Sequence, residues 1–153
     1  VDVDGYTLSD VYLFDQSMTI DIPERVFKRP MLAHNLTVFW DNRIALRGFR
    51  LDGTGVVQLA WQTYQLQNQN LKLFVHVLND DDVIVAQSDT VPVDWTRPIT
   101  GWILNEYVTT IHQFDLPSGE YRVRVGWYDP ATGDVIRVEG NNAIILDNKL
   151  IVD

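Results

Sequence analysis

An antiparallel two-sheet β-sandwich is the fold class this sequence predicts, on three observations. Strand-length segments rich in β-branched and aromatic residues recur along the chain, clusters of Gly, Pro, Asn and Asp separate them, and no segment of helical length carries a 3.6-residue apolar period. Many short antiparallel strands joined by regular turns bury their apolar faces by packing as two sheets. The chain has 153 residues, a length that suits one domain. At that size folding buries roughly 68–70% of the surface an unfolded chain exposes, without a disulfide or metal staple.

The first thirty residues are the least regular. Strands are expected over Val11–Phe14 and Met18–Ile22, but periodicity is weak and the stretch holds Pro23, Pro30 and the basic run Arg25-Val-Phe-Lys-Arg29. Residues 1–33 therefore read as a hairpin and linker, and residues 34–153 as the sandwich. Within it, strands are predicted over His34–Trp40, Arg43–Leu51, Val56–Leu66, Asn70–Asn79 and Val83–Asp89. Further strands follow over Glu106–Leu116, Glu120–Asp129, Val135–Glu139, Ala143–Leu146 and Lys149–Val152. Turn-formers divide them at Asp41-Asn42, Asp52-Gly-Thr-Gly55, Asn79–Asp82, Pro117-Ser-Gly119, Asp129-Pro-Ala-Thr-Gly133 and Gly140-Asn-Asn142.

Alternation assigns the faces. Tyr121, Val123, Val125 and Trp127 point one way and Arg122 and Arg124 the other, as in a strand with one buried and one wet face. Leu73, Val75 and Val77 oppose Lys72, Phe74, His76 and Leu78, so both faces are largely apolar and the strand is expected to be central. Between Thr90 and Asn105 lies a long loop with Pro92, Pro98 and two tryptophans, a length often associated with function.

A formal charge of −9 and a pI near 4.6 exclude nucleic acid as a partner, because that affinity rests on clustered Lys and Arg neutralising phosphates. Anionic membrane surfaces are disfavoured for the same reason. The apolar runs are strand-sized, far short of the ~20 residues a membrane-spanning helix needs, so no direct membrane insertion is expected. The absence of cysteine removes disulfides, thiolate metal sites and cysteine nucleophiles. The start at Val1-Asp-Val-Asp-Gly resembles no signal peptide, and the expectation is a fragment of a longer protein.

Several segments follow a recurring order: Ile44-Ala-Leu-Arg-Gly-Phe-Arg-Leu51, Val57-Gln-Leu-Ala-Trp-Gln62, Phe74-Val-His-Val-Leu78, Ala86-Gln-Ser-Asp89, Pro92, Trp102, His112 and Leu116-Pro-Ser-Gly-Glu-Tyr-Arg-Val-Arg-Val-Gly-Trp-Tyr-Asp-Pro-Ala-Thr-Gly133. Over about residues 34 to 153 this resembles the extracytoplasmic C-terminal β-sandwich domain of bacterial membrane glycosyltransferases of the protein-mannosyltransferase-like superfamily. The resemblance implies a jelly-roll-like sandwich similar to carbohydrate-binding modules, tethered to a membrane enzyme whose catalytic residues lie elsewhere. The chain departs from the pattern at Asp81-Asp82, where the family usually has Asp-Gly, which puts a tight two-residue turn there in doubt. Residues 1–30 fall outside the match.

Candidate chemistry is sparse, and no catalytic residue is assigned. Asp80, Asp81 and Asp82 offer carboxylates to a hard cation, but lack the spacing of a calcium loop and read more simply as a solvated turn. His76 and His112, with Asp89 or Asp115, are not brought together by any spacing and read as structural histidines, and no cofactor is expected. Asp89 and Glu106 flank the tryptophan loop like a glycosidase pair, although with 21 acidic residues a chance pairing is the default. Trp95, Trp102 and Tyr107, with Asp94, Arg97 and Asn105 nearby, form the candidate ligand site, because sugar rings stack on aromatics while their hydroxyls pair with polar groups. Trp102 equally fits a plug at the end of the sandwich.

The expected function is a non-catalytic accessory module, extracytoplasmic and tethered through a parent membrane enzyme, that binds glycan or envelope polymer or positions that enzyme. A structural or protein-interaction domain is the alternative, with a glycoside hydrolase behind both. Oligomeric state is open.

Overall fold

The computed structural model describes residues 24–93 and 97–153. The strands expected over Val11–Phe14 and Met18–Ile22 lie outside the described residues. Among the described residues nine strands fold as two antiparallel sheets: β1 (His34–Trp40), β2 (Ile44–Asp52), β3 (Val56–Thr63), β4 (Lys72–Leu78), β5 (Ile84–Thr90), β6 (Tyr107–Gln113), β7 (Gly119–Tyr128), β8 (Ile144–Ile145) and β9 (Leu150–Val152). One sheet runs β1-β2-β3-β6 and the other β5-β4-β7-β8, with β9 also paired to β7. The two sheets enclose one core, so the sandwich read from the sequence is the fold.

Turn chemistry matches backbone demand. Asp41 and Asn42 both take positive φ (50° and 54°), and the Arg43 amide donates to the Trp40 carbonyl at 2.9 Å, as a hairpin turn matched to strand twist requires. After β2, the Asp52 carboxylate accepts hydrogen bonds from the Thr54 amide and hydroxyl, both at 2.8 Å, and from Arg50 at 3.0 Å. The Thr54 bonds first, then Arg50, hold its pKa down at about 2. Gly55 closes this turn at φ +92°, and a Cβ there would stand 2.1 Å from the Phe114 carbonyl oxygen, so only glycine fits.

The Asp81-Asp82 departure has a structural answer. The Asp82 amide donates to the Asn79 carbonyl at 3.1 Å and the Asn79 amide to the Val83 carbonyl at 3.0 Å, while Asp82 sits at φ 62°. The connection is thus a three-residue loop with a left-handed third position, not a two-residue turn. The Asn79 side chain accepts from the Asp81 and Val83 amides.

Inward residues of both sheets meet in an aromatic spine. The ring of Trp61 lies edge-on to Trp40 at 5.2 Å and to Trp127 at 5.0 Å, and Trp127 meets Trp102 at 6.0 Å. All four side chains are buried. Around them pack Leu46, Val57, Leu59, Leu73, Val75, Val77, Val123 and Val125. His112, from β6, bridges the sheets. Its Nδ1 lies 3.1 Å from the Ser88 hydroxyl on β5 and its Nε2 lies 3.0 Å from the Thr110 hydroxyl, which bears out the structural reading of that histidine.

The strand expected over Val135–Glu139 does not form. Val135 makes an isolated bridge to Tyr128 and Val138 bridges Trp40 and Asn141, while Glu139 turns to φ 49°. Ile136 and Val138 are nonetheless buried, so their apolar character serves the core without a continuous ladder. Residues 24–33 lie on the sandwich: the Tyr107 amide donates to the Val26 carbonyl at 2.7 Å, and Arg29 donates to the carbonyls of Leu36 and Arg47.

Candidate functional site

The loop before β6 is built around a carboxylate. Glu106 is fully buried, with Arg25 at 2.7 Å on one oxygen and Arg97 at 2.8 Å on the other, and the Ile103 amide donates to it at 3.1 Å. Burial pushes its carboxyl up, but the Arg97 hydrogen bond, the Ile103 amide and the charges of Arg97 and Arg25 outweigh this and hold it below its usual value. One side chain thereby joins residues 24–33, the loop and β6.

This clamp fixes the fate of the aromatic residues expected to bind a ligand. Trp102 is buried against Trp127 and donates its indole N–H to the Arg97 carbonyl at 3.1 Å. Its face is spent on the core, as the plug reading has it. Tyr107 is buried beneath the Arg47 guanidinium, 5.9 Å from the ring centroid. Arg97 is committed to Glu106, and Asn105 is a turn residue at φ 64° whose amide donates to the Thr63 carbonyl at 2.8 Å. The structure brings Arg97, Trp102, Asn105 and Tyr107 together as the inside of a structural loop rather than as an open platform. Trp95 and its neighbour Asp94 lie outside the described residues.

The other candidates separate likewise. Asp82 pairs with Arg122, Asp80 and Asp81 are exposed turn residues, and no cluster of three or more His, Asp or Glu poised for a metal occurs among the described residues. Asp89 lies on β5 of the second sheet, whereas Glu106 immediately precedes β6 of the first. With Glu106 buried between two guanidiniums, they do not share a cleft as a glycosidase pair does.

One surface that gathers aromatic and polar groups is the outer face of the second sheet. β4 sits between β5 and β7, with Phe74 opposite Asp89 on one side and Gly126 on the other, and His76 opposite Gln87 and Arg124. A Cβ at Gly126 would meet the Phe74 ring at 2.2 Å, so the end of the ring fills the space above the glycine while the side chain stays half-buried. Phe74 and His76 rings lie 4.8 Å apart, tilted by 32°. Tyr128 reaches over β4 so that its hydroxyl donates to the Asp89 carboxylate at 2.8 Å. Burial, then the bond to Asp89 and its charge, push the Tyr128 phenol up to about 12.

Beside Phe74 opens a cleft of about 340 Å³ lined by Phe74, His76, Arg124, Asn142 and Ala143. Arg124 donates to His76 Nδ1 at 2.9 Å. Burial, followed by the Arg124 charge, lowers the His76 pKa, with Asp89 opposing, so the ring is neutral near pH 7. His76 is half-buried at the edge of this cleft, with Arg124 as its hydrogen-bond partner. The sequence signal for this face was the pairing of Phe74 and His76 with a glycine and an arginine across the strand, a register visible only once the strands are aligned.

No protein-family model matches the chain, and no curated protein matches it. Among solved structures, an endonuclease/exonuclease/phosphatase from Beutenbergia cavernae is similar at 13% identity and a TM-score of 0.35, over 64% of this chain and 22% of that one.

Proposed function

We propose that this domain is a non-catalytic accessory module that holds glycan on the outer face of its second sheet, as an extracytoplasmic part of a membrane glycosyltransferase-like protein. The tethering and location rest on the sequence resemblance. The glycan reading rests on one observation, the phenyl ring of Phe74 seated over Gly126 beside a cleft with His76, Arg124 and Asn142. A sugar ring offers apolar C–H faces to such an aromatic and hydroxyls to the surrounding polar groups. The carboxylates nearest in sequence to a hydrolytic pair are otherwise engaged, Glu106 by two arginines and Asp89 by Tyr128.

Titrating the 15N-labelled domain with soluble neutral and acidic oligosaccharides is expected to shift amides of residues 74–76, 124–126 and 142–143. Phe74→Ala should weaken binding about tenfold, the loss of one stacking contact. Gly126→Ala should do the same while leaving thermal stability within about 1 kcal/mol, because the new methyl lifts the ring rather than opening the core. Shifts confined to another surface, or none with any glycan, reject the reading. A structural or interaction module is then favoured, for which the exposed Val83, Ile84 and Val85 around the start of edge strand β5 are the feature in hand.

A further inference from the structure

Arg122 and Arg124 share the outward side of β7, yet their charges are treated differently. Arg122 pairs with Asp82, whereas Arg124 donates to a neutral imidazole nitrogen, and no carboxylate among the described residues pairs with it. Asp89, the nearby acid on β5, accepts from Tyr128 instead. A guanidinium at the wall of a half-buried cleft, with a planar fork and only a neutral acceptor, is suited to an incoming carboxylate, which it can bind in two parallel hydrogen bonds. The ring of Phe74 also lines the cleft, and Asn142, whose Oδ1 accepts from Arg137 at 2.7 Å, supplies its amide N–H groups as donors.

We propose that this cleft takes a carboxylated sugar, a uronic-acid unit carried on an otherwise neutral glycan, with Phe74 under the sugar ring and Arg124 on the acid; this rests on the glycan-binding function proposed above. A continuous polyuronate is disfavoured by the chain's −9 charge. Part of that charge lies away from the sheet in sequence: Asp2, Asp4, Asp10, Asp15 and Asp21 precede Arg25 with no Lys or Arg among them. A sparse acid on a neutral chain meets the local cation without presenting a row of like charges to the rest of the surface.

The ligand also has a built-in reporter. A carboxylate on Arg124 competes with His76 Nδ1 for the guanidinium N–H and adds negative charge beside the ring, both of which favour protonation of the imidazole. The charged groups acting on His76 are Arg124 from β7 and, opposing it, Asp89 from β5, with the Tyr128 phenol neutral at working pH. Binding should therefore raise the His76 pKa, and a neutral sugar should not.

The experiment compares methyl glucuronide and methyl galacturonide with their methyl esters and with the neutral methyl glucoside and galactoside, by NMR titration of the intact chain. The acid in at least one series is expected to bind about tenfold tighter than its ester and its neutral counterpart, with the preference falling in 0.5 M salt and the His76 ring titration moving up in pH. Arg124→Gln should abolish the preference but not the residual binding, and Arg124→Lys, which keeps charge without the fork, should retain part of it. Equal binding of acid and ester, or a preference that survives Arg124→Gln, overturns this proposal and leaves glycan binding standing. Binding of none of the sugars overturns both.

Discussion

Glu106→Ala is expected to lower the unfolding free energy by about 3–5 kcal/mol, the usual cost of removing one partner from a buried ion pair. The loss comes chiefly from stranding Arg97, whose side chain is 16% exposed, while Arg25 at 43% regains water. The Ile103 amide is orphaned as well, so the loop carrying Trp102 should loosen with the clamp. Glu106→Gln, which keeps the shape and one acceptor oxygen, should cost less but remain destabilising. Because the folded carboxyl titrates below its ordinary value of 4.5, its stabilisation is fully present above about pH 4.5 and is lost as pH falls through the lower folded value. Urea melts from pH 7 down to pH 3 should therefore show a shallower acid limb for Glu106→Gln than for the parent. An unchanged limb, or a Glu106→Ala loss under 1 kcal/mol, would show that the ion-pair cluster adds little to folding.

Trp127→Ala should be as damaging, at about 3–5 kcal/mol, because Trp127 touches both Trp61 and Trp102 and the cavity it leaves joins the centre of the sandwich to its loop end. Trp127→Phe should cost only ~2 kcal/mol. The phenyl keeps most of the edge-to-face contact, and the indole N–H it gives up has no hydrogen-bond partner among the described residues. Denaturation followed by far-ultraviolet circular dichroism checks both variants without relying on the altered tryptophan fluorescence. Equal losses for Phe and Ala would mean that indole shape, not buried area, holds the two sheets together.

The architecture was largely legible in the sequence because period-two patterning reports a local property. Tyr121, Val123, Val125 and Trp127 alternate inward as their spacing implies, and the β1 to β7 segments fall within a few residues of their expected limits. Val135–Glu139 failed for a reason the pattern cannot carry: two buried apolar residues two apart look like a strand whether or not a partner backbone runs alongside. The candidate site was less legible. Trp102 and Tyr107 advertise aromatic surface, but whether a tryptophan faces water or Trp127 is decided by the chain that folds over it. β4 is central, between β5 and β7, as its two apolar faces implied. What the pattern could not carry is that the half-buried Phe74 ring settles over a glycine fifty-two positions away across the sheet.

That last pairing gives positions 74 and 126 a joint bearing on how this surface can change. A ring at one and a hydrogen at the other divide a single volume, so the effect of a change at either depends on the residue at the other. A side chain added at 126 is resisted only while the ring is present, and a ring lost from 74 leaves room that a larger residue at 126 can fill. Substitutions at the two sites should thus be strongly non-additive, and the aromatic platform could pass from one strand to its neighbour by a compensated pair of changes while the sheet beneath stays as it is.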